Sequence, residues 1–188
     1  LSGDWYNNEW NLARTATGTF VPRTGTVTFA GNWGNIYTGD SINASGVGRP
    51  GKQFYNIIVN NTDNNYYTRL FPINVANVKT EGNDLRVLND FTVNSGIFYT
   101  YWNKLYVGGN FRNTSGYFQM NEYYGQNSTL TLEGTTGHTY DFNHGESQYF
   151  RKIVFTGGGK YNLTKDLTLN VTNGNLTINN GEFNLNHK

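Results

Sequence analysis

Gly109-Asn110-Phe111-Arg112-Asn113-Thr114-Ser115-Gly116-Tyr117-Phe118-Gln119-Met120-Asn121 aligns without a gap on Gly174-Asn175-Leu176-Thr177-Ile178-Asn179-Asn180-Gly181-Glu182-Phe183-Asn184-Leu185-Asn186. Both stretches read G-N-apolar-x4-G-x-F-x-apolar-N. A third copy of the middle, Phe91-Thr92-Val93-Asn94-Ser95-Gly96-Ile97-Phe98, precedes the first by about 20 residues, a step that suits one coil of a repeat protein. Self-similarity at a fixed step is the mark of stacked units, because strands of an antiparallel sandwich have no reason to repeat their sequence. The expected fold is all-β, a right-handed parallel β-helix or β-solenoid with about 20 to 23 residues per coil. The alternative is a β-sandwich of hairpins, for which Asn173-Gly174 and Asn180-Gly181 are the turn signals.

Stepping outward at the same interval reaches Leu130-Thr131-Leu132, Ile153-Val154-Phe155 and Leu176-Thr177-Ile178, each an apolar-alternating triplet, so a single column of rungs is expected from Phe91 onward. Backward, the steps fall on Phe71 to Ile73, Ile57 to Val59 and Val27 to Phe29. The polar stretch 40–52, with Gly46, Gly48, Pro50 and Gly51, reads as an excursion loop. A longer period of about 100 residues relates Thr26-Val27-Thr28-Phe29 plus Phe54 to Val59 with Thr129-Leu130-Thr131-Leu132 plus Phe150 to Phe155. Gly96, Gly116 and Gly181 share one point of the repeat and are expected at a corner closed to residues with a Cβ, with neighbouring asparagines stacking into amide ladders. Residues 1–188 read as one solenoid domain. Leu1-Ser2-Gly3-Asp4 is not a signal peptide and the last residues carry no stop pattern, so a piece of a longer repeat protein is expected.

Composition narrows the function classes. The 14 Lys and Arg balance 13 Asp and Glu for a net charge of +1, and charged residues are only 14% of the chain, which gives no pull toward nucleic acid. Cysteine is absent, removing disulfides and thiolate chemistry together. There are 30 Asn, 23 Thr and 23 Gly, yet aromatics reach 16%, more buriable surface than a disordered polar chain holds. No apolar run reaches 18 residues, so no membrane span is expected.

The segment Gly18-Thr19-Phe20-Val21-Pro22-Arg23-Thr24-Gly25-Thr26-Val27-Thr28-Phe29-Ala30-Gly31, followed by Phe54-Tyr55-Asn56-Ile57-Ile58-Val59, resembles a unit of large secreted bacterial cell-surface repeat proteins. In these a G-T-F-x-P-x-T-G-T-V-T-F-x-G element precedes an F-x-N-[LI]-x-[VI] strand. Asp166-Leu167-Thr168-Leu169 and Leu176-Thr177-Ile178-Asn179-Asn180-Gly181 are similar to the later L-T-[LV] and L-T-I-x-x-G runs. The resemblance implies an exported, adhesin-like parallel β-helix at the cell surface, with no catalytic residues to carry over. The chain departs from it at 40–52 and at Phe98-Tyr99-Thr100-Tyr101-Trp102.

The expected role is therefore an extracellular structural solenoid, a module of a stalk, filament or adhesin that associates end to end or continues into further repeats, since solenoid ends expose unpaired strand edges. No cofactor and no metal site are expected. The alternative is a carbohydrate-binding module or a polysaccharide-active β-helix enzyme. For the enzyme, His138, Asp141, His144 and Glu146 are the richest cluster. His138 and His144 on one strand would stand about 20 Å apart, so a polar connecting loop is the plainer reading. Asp90 and Asp166 each precede a strand triplet, as a repeat feature does. For glycan or protein contact the candidates are the aromatics outside core alternation, Trp5, Trp10, Tyr99, Tyr101, Trp102, Tyr123 and Tyr124, against the reading that they cover coil corners. Thr-x-Thr pairs at 26–28 and 129–131 lie too far apart for an ice-binding array. Seven sequons begin at Asn43, Asn60, Asn113, Asn127, Asn162, Asn170 and Asn175, where composition alone gives roughly five.

Overall fold

A computed structural model describes residues 1–3, 5–6, 21–37, 53–63, 66–70, 74–75, 78–79, 84–100, 103–120, 128–135, 137–142, 150–163, 167 and 174–184. Every strand pairing among them is parallel except that of Asn74–Val75 with Val78–Lys79. Parallel strands need crossovers rather than hairpins, which rules out the sandwich and leaves a parallel β-helix.

The helix has three faces. Face I carries Trp5–Tyr6, Trp33–Tyr37, Tyr67–Leu70, Ile97–Tyr99 and Tyr117–Gln119. Face II runs from Thr26–Phe29 through Asn56–Asn60, Phe91–Ser95, Phe111–Asn113, Thr139–Asp141 and Lys160–Leu163 to Glu182–Asn184. Face III stacks Gln53–Phe54, Leu85–Val87, Lys104–Val107, Thr129–Leu132, Lys152–Phe155 and Asn175–Ile178. From Gln53 to Gln119 the chain visits III, II and I in turn and then returns to III; beyond Gln119 the described strands alternate between III and II.

This order corrects the single column of rungs. Phe91 stacks on Phe111 on face II, but the next residue of that column is Tyr140, whereas Leu130 belongs to face III above Leu105. The gapless match therefore superposes a face II to face I corner, Phe111–Asn113 to Tyr117–Gln119, on a face III to face II corner, Asn175–Ile178 to Glu182–Asn184. The repeating unit is strand, glycine corner, strand, used at two corners of the triangle. The 100-residue period dissolves for the same reason, since Thr26–Phe29 lies on face II and Thr129–Leu132 on face III.

Coil length is 20 residues from Phe91 to Phe111 and 23 from Leu130 to Ile153, but 34 from Ile57 to Phe91 and 29 from Phe111 to Tyr140. Added residues enter between Asn60 and Tyr67, from face II to face I, between Leu132 and Thr139, from face III to face II, and in largest number between a face I strand and the next face III strand. The 40–52 excursion lies in such a connection, outside the described residues. Another spans 71–83; the rung expected at Phe71 to Ile73 lies outside the described residues, and after it Asn74–Val75 pairs antiparallel with Val78–Lys79.

Alternation dictates the core. On face III, Leu85, Leu105, Leu130 and Ile153 form one fully buried column and Val87, Val107, Leu132 and Phe155 another. Phe98, Phe118 and Phe150 stack along the axis with centroids 5.7 and 5.3 Å apart, and Phe91 and Phe111 stack beside them at 5.8 Å, meeting Phe98 and Phe118 edge to face. Such ring columns combine area burial with favourable aromatic geometry in a core one side chain wide.

Corner glycines have two different causes. Gly96 holds φ +80° and Gly181 φ +104°, the left-handed region where a side chain is strained. Gly116 lacks positive φ, but a Cβ there would run into Val93 and the Gly96 carbonyl, so its glycine is required by close stacking of coils. Gly96 and Gly116 share a corner, whereas Gly181 belongs to the other, above Gly158 and Gly159.

Candidate functional site

Three outward features of the described residues carry chemistry: a polar ladder at the corner entering face II, an ion pair on face III, and an aromatic strip on face I.

The ladder follows from the register, which places Thr26, Asn56, Asp90, Asn110 and Thr139 one above another. Asn56 Nδ2 donates to Thr26 Oγ1 at 3.1 Å, and Asn56 Oδ1 accepts the Asp90 backbone N–H at 3.1 Å and Asn89 Nδ2 at 2.9 Å. Asp90 Oδ1 accepts from the Asn110 backbone and side chain, and Asn110 Oδ1 accepts the Thr139 backbone N–H at 2.8 Å. Each side-chain carbonyl thus receives the backbone donor of the coil above, which is why short amides and carboxylates recur here. The amide ladder is expected beside Gly96, Gly116 and Gly181; the structure places this one at the corner entering face II instead, with Asp90 as one of its rungs. Asp166 lies outside the described residues.

On face III, Arg86 Nη2 donates to Glu133 Oε1 at 2.7 Å and its guanidinium lies 5.4 Å from the Tyr106 ring centroid. Tyr106 stands directly above Arg86, so the pair spans the coil between them. Burial pushes the Glu133 carboxyl up, partly offset by Arg86. Burial, then the Asp84 and Glu133 carboxylates, push Tyr106 up to about 12. Asp84 itself is buried and accepts the Lys104 backbone N–H at 2.8 Å. Arg86 and Glu133 neutralise each other, which makes this a clamp across coils rather than an acid and base aimed at a substrate.

Face I presents the third feature. Trp33, Tyr67, Ile97 and Tyr117 form one outward column, in register on four successive coils. Two residues along each strand, Asn35, Arg69, Tyr99 and Gln119 form the second. Trp33 meets Tyr67 edge to face at 4.2 Å and Tyr66 at 5.8 Å, and Tyr67 meets Tyr99 at 5.8 Å. Arg69 lies 4.5 Å over the Tyr67 ring and donates from Nε to Asn35 Oδ1 at 2.6 Å. Trp33 nevertheless keeps 53% of its surface in solvent.

Of the aromatic candidates read from sequence, Tyr99 belongs to this strip. Trp5 faces inward, edge-on to Phe54 at 5.2 Å and packed against the core, at the first rung of face I. Trp10, Tyr101, Trp102, Tyr123 and Tyr124 lie outside the described residues; in the chain, the last four follow face I strands. The strip's main residue, Trp33, was not legible from aromatic clustering because it stands alone in sequence. The signal was the likeness of Trp33-Gly34-Asn35-Ile36 to Tyr67-Thr68-Arg69-Leu70, which are in register.

Among the sequons, Asn60 and Asn175 are exposed, and Asn175 Oδ1 accepts from its sequon hydroxyl, Thr177 Oγ1, at 2.8 Å. Asn113 is fully buried on the inner side of face II, so a glycan there is incompatible with this fold. Asn162 lies in a face II strand, while Asn43, Asn127 and Asn170 fall outside the described residues. His138 is half-buried, whereas His144 and Glu146 are also outside them. Among the described residues, no three His, Asp or Glu side chains gather as a metal site would require, and no helix is long and apolar enough to cross a membrane. Comparison with family models, curated proteins and solved structures finds no match for this chain.

Proposed function

We propose that the chain is a non-catalytic structural module of a secreted or surface-displayed protein, a length of stalk, filament or adhesin that works by being stiff and extensible. The observation that carries this reading is the last described rung of face III. Leu176 and Ile178 continue the inward columns of Ile153 and Phe155, yet are 38% and 43% exposed. Apolar residues that continue the core columns while partly exposed suit a further coil, of this chain or of another copy, and each added coil buries more of the same columns. The first rung is different: Leu1 bonds both Thr28 and Ala30 along face II, and Trp5 seats on Phe54, so this end is covered in part by its own chain. The cell-surface assignment rests on the sequence resemblance.

Light scattering and negative-stain electron microscopy test the proposal. Rods or fibres that lengthen with concentration, and that Leu176→Asp with Ile178→Asp reduces to single modules, are the expected result. A monomer at all concentrations, unaltered by the double change, would remove the case for axial association.

A further inference from the structure

We propose that face I is a glycan-binding strip that seats a neutral pyranose chain lying along the solenoid axis. This goes beyond the structural role and stands whether or not modules associate.

The geometry carries the inference. Coils are about 4.8 Å apart and alternate residues on a strand about 7 Å, so the two columns make a strip two side chains wide and four coils long. One column is apolar and mostly aromatic, with Trp33, Tyr67 and Tyr117 in register about Ile97. The column beside it presents the amides of Asn35 and Gln119 and the guanidinium of Arg69. A ligand that fits has one C–H-rich face for the rings and a row of hydroxyls along its edge, repeating at close to one coil per unit. An extended pyranose chain has all three properties, and tolerates a mixed apolar and amide surface that a lipid or an apolar peptide would not.

Other ligand classes fit less well. A peptide added as a strand needs a free sheet edge, and this is a face whose backbone groups already bond between coils. Nucleic acid needs a basic groove beneath its stacking rings, whereas the strip holds a single cation, Arg69, whose guanidinium covers Tyr67 and whose Nε donates to Asn35. That same disposition favours a neutral over an acidic glycan. The edge-to-face contacts among Trp33, Tyr66 and Tyr67 hold the exposed indole before any ligand arrives, which lowers the ordering cost of binding.

Calorimetric titration of the whole chain with β-1,4-linked glucose, N-acetylglucosamine and xylose oligosaccharides tests this, with polygalacturonate as the acidic arm. The expected result is binding of at least one neutral series, tightening from disaccharide to tetrasaccharide. Trp33→Ala and Tyr117→Ala each weaken it about tenfold, while Thr28→Ala on face II leaves it unchanged. Trp33 is exposed, so its replacement leaves the circular dichroism spectrum intact. No binding to any neutral series, binding to polygalacturonate alone, or binding that both aromatic replacements leave unchanged would overturn the proposal.

Discussion

Asn110 stands one coil above Asp90 and donates to the same carboxylate oxygen twice, from its backbone N–H at 2.8 Å and from Nδ2 at 2.9 Å. The contact joins two coils at the point where the chain turns into face II, and its equivalents below and above are made by Asn56 and by Asn110 itself. A parallel β-helix has few charges and few loops with which to fix the register of one coil on the next. The ladder performs that task with groups that double as corner residues.

Removing Asp90 therefore unties two donors of the coil above. Asp90→Ala is expected to lower unfolding free energy by about 2 kcal/mol in urea titration, because a charge-assisted pair is lost and a backbone N–H is left without its acceptor. Asp90→Asn keeps an oxygen in place and is expected to cost less than half as much. Equal losses from the two changes would show that charge, not the acceptor position, matters here.

Asn113 offers the opposite case. It is fully buried, directly above Val93 in the face II column, and neither its Oδ1 nor its Nδ2 has a hydrogen-bond partner among the described residues. A buried amide without partners costs on the order of 1 to 3 kcal/mol. Asn113→Val continues the apolar column in a β-branched residue suited to a strand, and is expected to raise the urea midpoint by an amount equivalent to about 1 kcal/mol. A lowered midpoint would mean that a bound water satisfies the amide.

These two asparagines show what sequence reading reaches and where it stops. Both are followed by the same alternation and both sit in the stretch that revealed the repeat. The strand, glycine, strand pattern is written in side-chain chemistry, since apolar alternation and corner glycines are local requirements. The face on which each copy lands is not local. It depends on how many residues intervene between successive strands, and chain length there varies without altering the pattern. Phe111 and Leu130 therefore look like successive rungs of one column although Phe111 belongs with Tyr140 and Leu130 with Leu105. The aromatic strip was hidden for the same reason: Trp33, Tyr67 and Tyr117 become neighbours only once register is known.

Alkaline pH probes the phenols. Tyr106 is raised to about 12 and Tyr140 is raised further, in both cases chiefly by burial, and the Tyr140 hydroxyl has no hydrogen-bond partner among the described residues. A group whose folded pKa exceeds its unfolded value gives stability that is complete below the unfolded pKa, about 10, and lost as pH rises through the folded one. The melting temperature is expected to fall steeply above pH 10, with Tyr106→Phe flattening the fall between about 10 and 12. Tyr140→Phe is expected to flatten it as well and to raise stability at neutral pH, since the change removes a buried hydroxyl that gains nothing in the fold. A melting temperature for Tyr140→Phe equal to the parent at neutral pH and steeper above 10 would contradict both expectations.

The Arg86 and Glu133 clamp separates the worth of a pair from the cost of breaking it. Their side chains are 16% and 28% exposed, and Tyr106 fills the coil between them. Arg86→Met leaves Glu133 without the cation that offsets its burial and is expected to cost about 2 kcal/mol, whereas Glu133→Gln keeps the shape of the neutral acid that burial favours and is expected to cost well under half as much. Arg86→Met combined with Glu133→Leu is expected to cost less than Arg86→Met alone, because two partly buried charges leave together and apolar groups replace them. The pH dependence has a definite sign. Burial raises the Glu133 carboxyl, so the folded chain holds its proton more tightly than the unfolded chain. Its contribution is fully present below about 4.3 and declines as pH rises through the raised folded value. The stability of the parent relative to Glu133→Gln should therefore be greatest in acid and shrink toward neutral pH, whereas a carboxylate held chiefly by its arginine would show the reverse trend.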